Sequence, residues 1–395
     1  MSFLLQQTLL VLTPVLFLAD LVQSLFYLPE ADRHEGGDHM PHRVYYVCFC
    51  AFYGAMMFAL LAPSLPLMWV AVELTTLVSA PLIAYHRTRE SLEAMWKYLL
   101  ICSVGIGLAL FGTMLVLHAQ TTGDANWFKA GFVFILAGYG TKTGLAPFHT
   151  WLPDAHSEAP GPVSAFLSGA LLNCSFLAIW RFRALMPAEA APFCDHAMIA
   201  LGILSLVVAA VFIVRQTDFK RMLAYSSVEH MGLVILLFAV AADLKVLETH
   251  IVFHSLTKMT LFLVAGNLLL AYGTREIAAI HGLGRTMKLH AALWMLGILM
   301  ICGFPPGGLF LTELGFVLQA PTGLAATVLA LLFVVFAGMS RVAVGMVFGN
   351  PDRQHSVIAQ PISKGLAVVP TLGLLAVLLG GLALTVVLVA KGGLS

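Results

Sequence analysis

In the stretch GTKTGLAPFHTWLPDAH, Gly140 to His156, a lysine stands in a glycine- and leucine-rich helical run that then meets Pro147 and Pro153. His149, Asp154 and His156 follow Lys142 closely. Other ionisable groups lie inside apolar stretches: Glu73 in LPLMWVAVELTTLVSAPLIAY, Glu229 and His230 in AYSSVEHMGLVILL, His254 and Lys258 in HIVFHSLTKMTLFLVAGNL, and Glu313 in GFPPGGLFLTELGF. His254 and Lys258 stand at i and i+4 and share one helix face. The chemistry such a set permits is proton transfer. Burial opposes the charged form of lysine and glutamate alike, and an opposite charge within about 4–6 Å restores it. A Glu–Lys pair that separates and rejoins is therefore a proton switch, with Glu73 setting the charge of Lys142. Histidine titrates near neutrality unaided, which makes His254 and His230 relay candidates. His149, His156 and Glu229 are further relay candidates. Thr141, Ser226, Ser227 and Asn173 offer hydroxyl and amide groups to orient water between them.

Each group also has a structural reading. Glu229 and His230 follow Lys220 and Arg221 so closely that an interfacial position serves equally well. His254 can be a core histidine, and Lys258 can extend its stem to an interface. Glu73, Lys142 and Glu313 can be structural ion pairs, although buried pairs rarely repay their desolvation. A charge at mid-bilayer costs about 2.5–3.5 kcal/mol. At 1.5 Å per residue, Glu73 lies roughly 12 Å and Lys142 near 20 Å along its apolar run. Deep charges beside helix breaks fit a hydrated pathway better than a set of staples.

The elements that carry these groups are membrane spans. The chain has 395 residues, 60% hydrophobic and 10% charged, with a net charge of +1. Soluble domains carry roughly a quarter charged residues, so the chain belongs in a bilayer, and its charge gives no argument for nucleic acid. Apolar runs of about 20 residues, each enough to cross a ~30 Å core, recur at roughly 5–28, 43–62, 65–86, 97–118, 129–150, 160–182, 196–215, 222–241, 249–272, 289–319, 322–349 and 365–390. The expected fold is all-α, with about twelve transmembrane helices of which the fifth and tenth are broken by prolines. The first run lacks a basic flank and a small-residue cleavage site, so it reads as a retained helix. Connections after odd-numbered spans hold Arg33, Arg43, Arg87, Arg89, Lys97, Lys220, Arg221, Arg275, Arg285, Lys288, Arg353 and Lys364; those after even-numbered spans hold chiefly Lys129, Arg181, Arg183 and Lys245. The positive-inside rule then puts both termini on the outer face.

Spans two to six end with a broken helix and an intact one, and spans seven to eleven repeat that order. Five spans per unit is odd, so the second unit lies inverted, the arrangement typical of transporters with discontinuous helices. The expected organisation is an N-terminal helix and loop (1–42), a core (43–350, repeats about 43–182 and 196–349) and a C-terminal loop and helix (351–395). No strand, phosphate-binding glycine loop or hydrolase triad is legible. Cys48, Cys50, Cys102, Cys174, Cys194 and Cys302 form no CxxC pair and read as small core residues. The loop HEGGDHMPHR carries His34, Asp38, His39 and His42, but their spacing fits no zinc pattern. No metal site is expected.

The run GTKTGLAPFHTWLPDAHSEAPGPVSAFLSGALL resembles the core signature of the proton-conducting, antiporter-like membrane subunits of respiratory complex I, Mrp antiporters and membrane-bound hydrogenases. DFKRMLAYSSVEHMG, HSLTKMTLFLVAGN and GFPPGGLFLTELG resemble three further blocks, in family order. SSVEHMG, with YGTREIAAIHGL, looks most like the hydrogenase-4 component F branch. The resemblance spans roughly Arg43 to Asn350 and places the family's charged residues on Glu73, Lys142, Lys258 and Glu313. Glu313 replaces a lysine of some relatives, and Ser168 stands where some carry a histidine, leaving Asn173 and water to bridge. Most members carry additional N-terminal spans, and the lateral helix of the most distal complex I subunit has no counterpart, so neighbouring subunits are expected to complete the scaffold, or pumping is reduced.

The resemblance implies a proton-translocating subunit in the inner membrane. Its partners would be other membrane subunits and a peripheral hydrophilic arm. Iron–sulfur and nickel–iron centres would lie on those partners, and this chain would bind no cofactor. The rival functions are an Mrp-type cation/proton antiporter subunit, a membrane partner of an inorganic-carbon uptake complex, and a structural anchor.

Overall fold

The computed structural model describes residues 2–36, 38–240, 243–350 and 357–390; Arg353 lies outside them. Among the described residues sixteen α-helices follow one another: α1 (Ser2–Glu35), α2 (His42–Leu61), α3 (Leu65–Ile83), α4 (Arg89–Thr122), α5 (Ala125–Thr143), α6 (Trp151–Glu158), α7 (Gly161–Phe166), α8 (Leu172–Arg183), α9 (Ala191–Val214), α10 (Phe219–Ala239), α11 (Leu244–Tyr272), α12 (Leu283–Thr286), α13 (Lys288–Ile301), α14 (Gly308–Gln319), α15 (Thr322–Phe348) and α16 (Val368–Ala390). A π-helical turn, Leu167–Leu171, joins α7 to α8 into one continuous rod. The only strand-type pairing among the described residues is a single bridge, Asp218 to Glu276.

Ten of these helical stretches are long and apolar enough to cross a membrane. The other two expected spans are the interrupted ones, α5 with its break and the pair α13 and α14. Within α2–α8, and again within α9–α15, the fourth crossing is the broken one. α1 packs against α2, α7, α8 and α11. In the Gly161–Arg183 span the apolar window is wholly buried, and α10 and α11 are nearly so, whereas α15 and α16 turn most of their surface outward. Glu229 and Lys258 ride on two of these innermost helices, α10 and α11. Small residues let α4 and α5 approach closely: a Cβ on Gly138 would lie 2.5 Å from the Ala109 backbone nitrogen.

The first break differs from the expectation. α5 begins at Ala125, so Lys142 occupies its last turn, and Gly144 closes the helix with a left-handed φ of 83°. The chain resumes as a short turn, Phe148–Thr150, and then as α6. Pro153, expected to help break the backbone, sits instead in the first turn of α6, where a missing N–H costs nothing. The groups freed at the break find partners. The Trp151 indole donates to the Thr141 carbonyl at 2.8 Å, and the Ala146 N–H donates to Ser205 Oγ at 3.0 Å.

Candidate functional site

Lys142 is fully buried, and its Nζ donates to the Tyr98 hydroxyl at 2.5 Å, lying 4.4 Å from that ring's centre. Tyr98 faces Ser79 Oγ at 2.7 Å, and Ser79 donates to the Thr75 carbonyl at 2.6 Å. Since the Ser79 proton is committed to Thr75, Tyr98 donates to Ser79, and the bonds point one way from ammonium to α3. Glu73 does not touch Lys142: no ion pair within 4.0 Å joins them, and the Glu73 carboxylate accepts from Ser103 Oγ at 2.8 Å and Thr76 Oγ1 at 3.5 Å. Glu73, Thr76 and Ser79 follow one face of α3 at three-residue spacing, so Tyr98 and two hydroxyls stand between acid and amine. Sequence reasoning missed Tyr98, Ser79 and Ser103 because hydroxyls inside apolar helices read as packing.

Tyr98 is the only hydrogen-bond partner of Lys142 Nζ among the described residues. A hydrogen bond to a charged group is worth about 1.5–3 kcal/mol. Tyr98→Phe is therefore expected to slow Lys142-dependent proton movement by roughly 10- to 100-fold while the chain still assembles. Proton uptake into vesicles, compared at equal protein content, measures it; a rate equal to wild type removes Tyr98 from the relay.

The second cluster sits on α8, α10, α11 and α14. Lys258 is fully buried. Its Nζ donates to the Leu223 carbonyl at 2.7 Å and makes a short contact with Ser226 Oγ. Ser168 meets Ser227 at 2.8 Å, and Asn173 donates to Gly169 O and Ser255 Oγ, both at 2.8 Å. Glu229 and His230 are buried inside the protein too. The His230 ring lies 5.1 Å from that of His254 and contacts His250 at 3.3 Å; His250 then meets Thr312 Oγ1 at 2.9 Å. Both ring nitrogens of His254 lack a hydrogen-bond partner. His250 and Thr312 are functional candidates the sequence reading passed over, although His250 begins the very stretch that carries His254 and Lys258.

Thr312 precedes Glu313, whose carboxylate folds back over the second break. A Cβ at Gly303, which adopts φ 66°, would collide with Glu313 Oε2, so only glycine leaves that space. Acids stand on the second span of α2–α8, Glu73 on α3, and on the second span of α9–α15, Glu229 on α10. Lys142 stands just before the first break and Glu313 just after the second.

No hydrogen bond among the described residues links the Lys142 group to the Lys258 group, and Leu152 packs tightly on Gly144, where a Cβ would lie 2.6 Å from its Cδ1. His149 and His156 follow the first break in the chain. His149 is buried in the break, its ring 6.0 Å from that of Tyr225, while His156 is buried and stacks on Phe262 at 4.6 Å. Neither His156 nitrogen has a hydrogen-bond partner. Outside α6 an ionic lattice holds the break in place. Asp154 pairs with Lys97 at 3.0 Å and Arg221 at 2.8 Å, and Glu158 with Arg275 at 2.6 Å.

Among the described residues no group of three or more His, Cys, Asp or Glu is placed to hold a metal. The loop histidines separate: His34 faces Glu30, His42 faces Asp32 and His39 stacks on Tyr85.

Residues 62–340 match the family described as "NADH:quinone oxidoreductase/Mrp antiporter, TM". The hydrogenase-4 component F homolog of Methylacidiphilum infernorum is 39% identical over 298 residues, 69% of this chain and 62% of the relative, so the chain spans less than two thirds of that protein's length. The fold is that of a chain of the Mrp complex from Dietzia, with a TM-score of 0.85 at 19% identity, covering 97% of this chain and 81% of the other. A chain of respiratory complex I from Thermus thermophilus also matches, with a TM-score of 0.74 at 23% identity over 96% and 92% of the two chains. The chain belongs to the NADH:quinone oxidoreductase/Mrp antiporter family of membrane proteins.

Proposed function

We propose that this chain is a proton-translocating subunit of a redox-driven membrane complex of the complex I-like, group 4 hydrogenase-like kind. The observation that carries the reading is the fully buried pair of lysines, Lys142 and Lys258, each beside hydroxyls that continue towards other titratable groups. A lysine that loses its proton becomes a neutral amine, a form that low-dielectric surroundings tolerate. Lys142 passes its proton when Glu73, acting through Thr76, Ser79 and Tyr98, ceases to favour the ammonium. The side chains of Lys258, His254, His230 and His250 then offer successive sites towards Glu313, with Ser168, Asn173 and Glu229 lining the junction. His149 and His156 serve at the first break.

The similarity to the hydrogenase-4 component F homolog supports a redox complex over a free-standing antiporter. Electron-carrying centres, iron–sulfur or nickel–iron, would sit on partners, including a peripheral arm. The clustering of Lys97, Arg221 and Arg275 at one end of the bundle supports placing that end in the cytoplasm and both termini outside, in the inner membrane.

Mild extraction with the native partners, followed by identification of the co-purifying chains, tests the assignment. A companion with cysteine-ligated iron–sulfur clusters is expected. A set of companions without any redox centre would favour the Mrp-type antiporter instead.

A further inference from the structure

α1 lies outside both repeats, yet it carries a buried polar stripe that the lysine relay does not use. Asp20, Gln23, Ser24, Tyr27, Glu30 and His34 recur at three- and four-residue spacing, so they share one face. Asp20, Gln23, Ser24 and Tyr27 are fully buried and Glu30 is 6% exposed, while Val15, Leu18, Val22 and Leu25 on the other face are exposed. Glu30 pairs with His34 at 3.2 Å near the helix end. Asp20 lies ten residues further in, about 15 Å along the axis.

Asp20 is the anomaly. Neither carboxylate oxygen has a hydrogen-bond partner, and no described cation lies within 4.0 Å. The nearby donors are engaged elsewhere. Ser24 donates to the Asp20 backbone carbonyl at 2.7 Å and meets Tyr45 at 2.9 Å, while Gln23 donates to Asn267 Oδ1 at 3.2 Å and Leu366 O at 3.1 Å. Among the elements packed on α1, α7 and α16 carry no titratable side chain. Lys258 on α11 is held by Leu223 and Ser226, Arg181 on α8 by the Ala62 carbonyl, and the α11 histidines gather around His230 and Thr312. An ionised, isolated carboxylate in such surroundings is prohibitively costly, whereas a protonated one is not. One turn away, Phe17 stacks on Tyr53 at 4.2 Å and lies 5.5 Å from Phe49 and 5.9 Å from Phe166, an aromatic plug that ends the stripe.

We propose that Asp20 is a further proton-binding site of this chain, separate from the lysine relay, filled along the buried face of α1 from the His34–Glu30 end and closed on its far side by the Phe17 cluster. Proton binding forms one O–H bond on the carboxylate and cancels its charge; release reverses both. A sodium ion is a poor occupant, because hard cations gather six or more oxygens and the neighbouring hydroxyls and amides are committed. The proposal goes beyond the lysine relay and is read out without any proton pumping.

Infrared difference spectroscopy on the full chain, in membranes with its natural companions, tests it. Wild type minus Asp20→Asn at neutral pH should show the carbonyl stretch of a protonated carboxylic acid, and Asp20→Glu should shift that band without removing it. Glu30→Gln should slow hydrogen–deuterium exchange of the band by at least about tenfold. Identical spectra for wild type and Asp20→Asn, loss of the band on adding sodium, or unchanged exchange in Glu30→Gln each overturn the proposal. Should Asp20→Asn fail to assemble, carboxyl-13C aspartate in the wild-type chain, compared with Asp20→Glu, decides the same question.

Discussion

Lys142→Ala is expected to abolish this subunit's proton movement, by at least about 10²-fold, while the chain still joins its complex. The side chain removed is the only cation in the first cluster among the described residues, and its ammonium is what Tyr98 and Ser79 are oriented to receive. The helix break does not depend on it, because Trp151 and Ser205 satisfy the freed backbone groups and Asp154 and Glu158 pin α6 from outside. A structural ion pair would behave differently. Its loss would strand a buried charge, at about 3–5 kcal/mol, and the subunit would fall out of the complex. Among the described residues no carboxylate lies within 4.0 Å of the Lys142 ammonium, so the proton-carrier account expects no such loss. Native gels run beside the transport assay check the outcome.

Lys258→Met is expected to reduce proton movement about as severely, with little change in thermal stability. Methionine keeps most of the volume, and Ser226 already donates to the Leu223 carbonyl at 3.1 Å, so removing the ammonium leaves that acceptor satisfied. What is lost is the proton carrier between the Ser168–Asn173 side and the histidines leading to Glu313. A melting temperature within a few degrees of wild type, together with collapsed transport, is the expected pair of results. Collapsed stability with it would make Lys258 a structural residue.

The charges were legible in the sequence because lysine and glutamate stand out in apolar helices, and the breaks because Pro147 and the Pro305–Pro306 pair interrupt them. The partners were not. Whether a tyrosine in α4 meets a lysine in α5 or a lipid depends on how the helices rotate against each other, and the close α4–α5 crossing at Gly138 sets that here. The expected Glu73–Lys142 contact became an indirect one for that reason. Pro153 was misjudged because a proline in a first helical turn looks in sequence like one that breaks a helix. Asp20 escaped notice because it sits in a run outside the recognisable blocks, and burial alone reveals it.

The most direct test compares wild type with Lys142→Arg in vesicles containing the intact complex, counting protons moved per turnover of the driving reaction. Arginine preserves the positive charge but does not release its proton in proteins. If Lys142 works by releasing a proton, the ratio falls in Lys142→Arg by as much as in Lys142→Ala while the driving reaction continues. An unchanged ratio in Lys142→Arg would mean that only the charge matters, and would contradict a proton-releasing lysine at the first break.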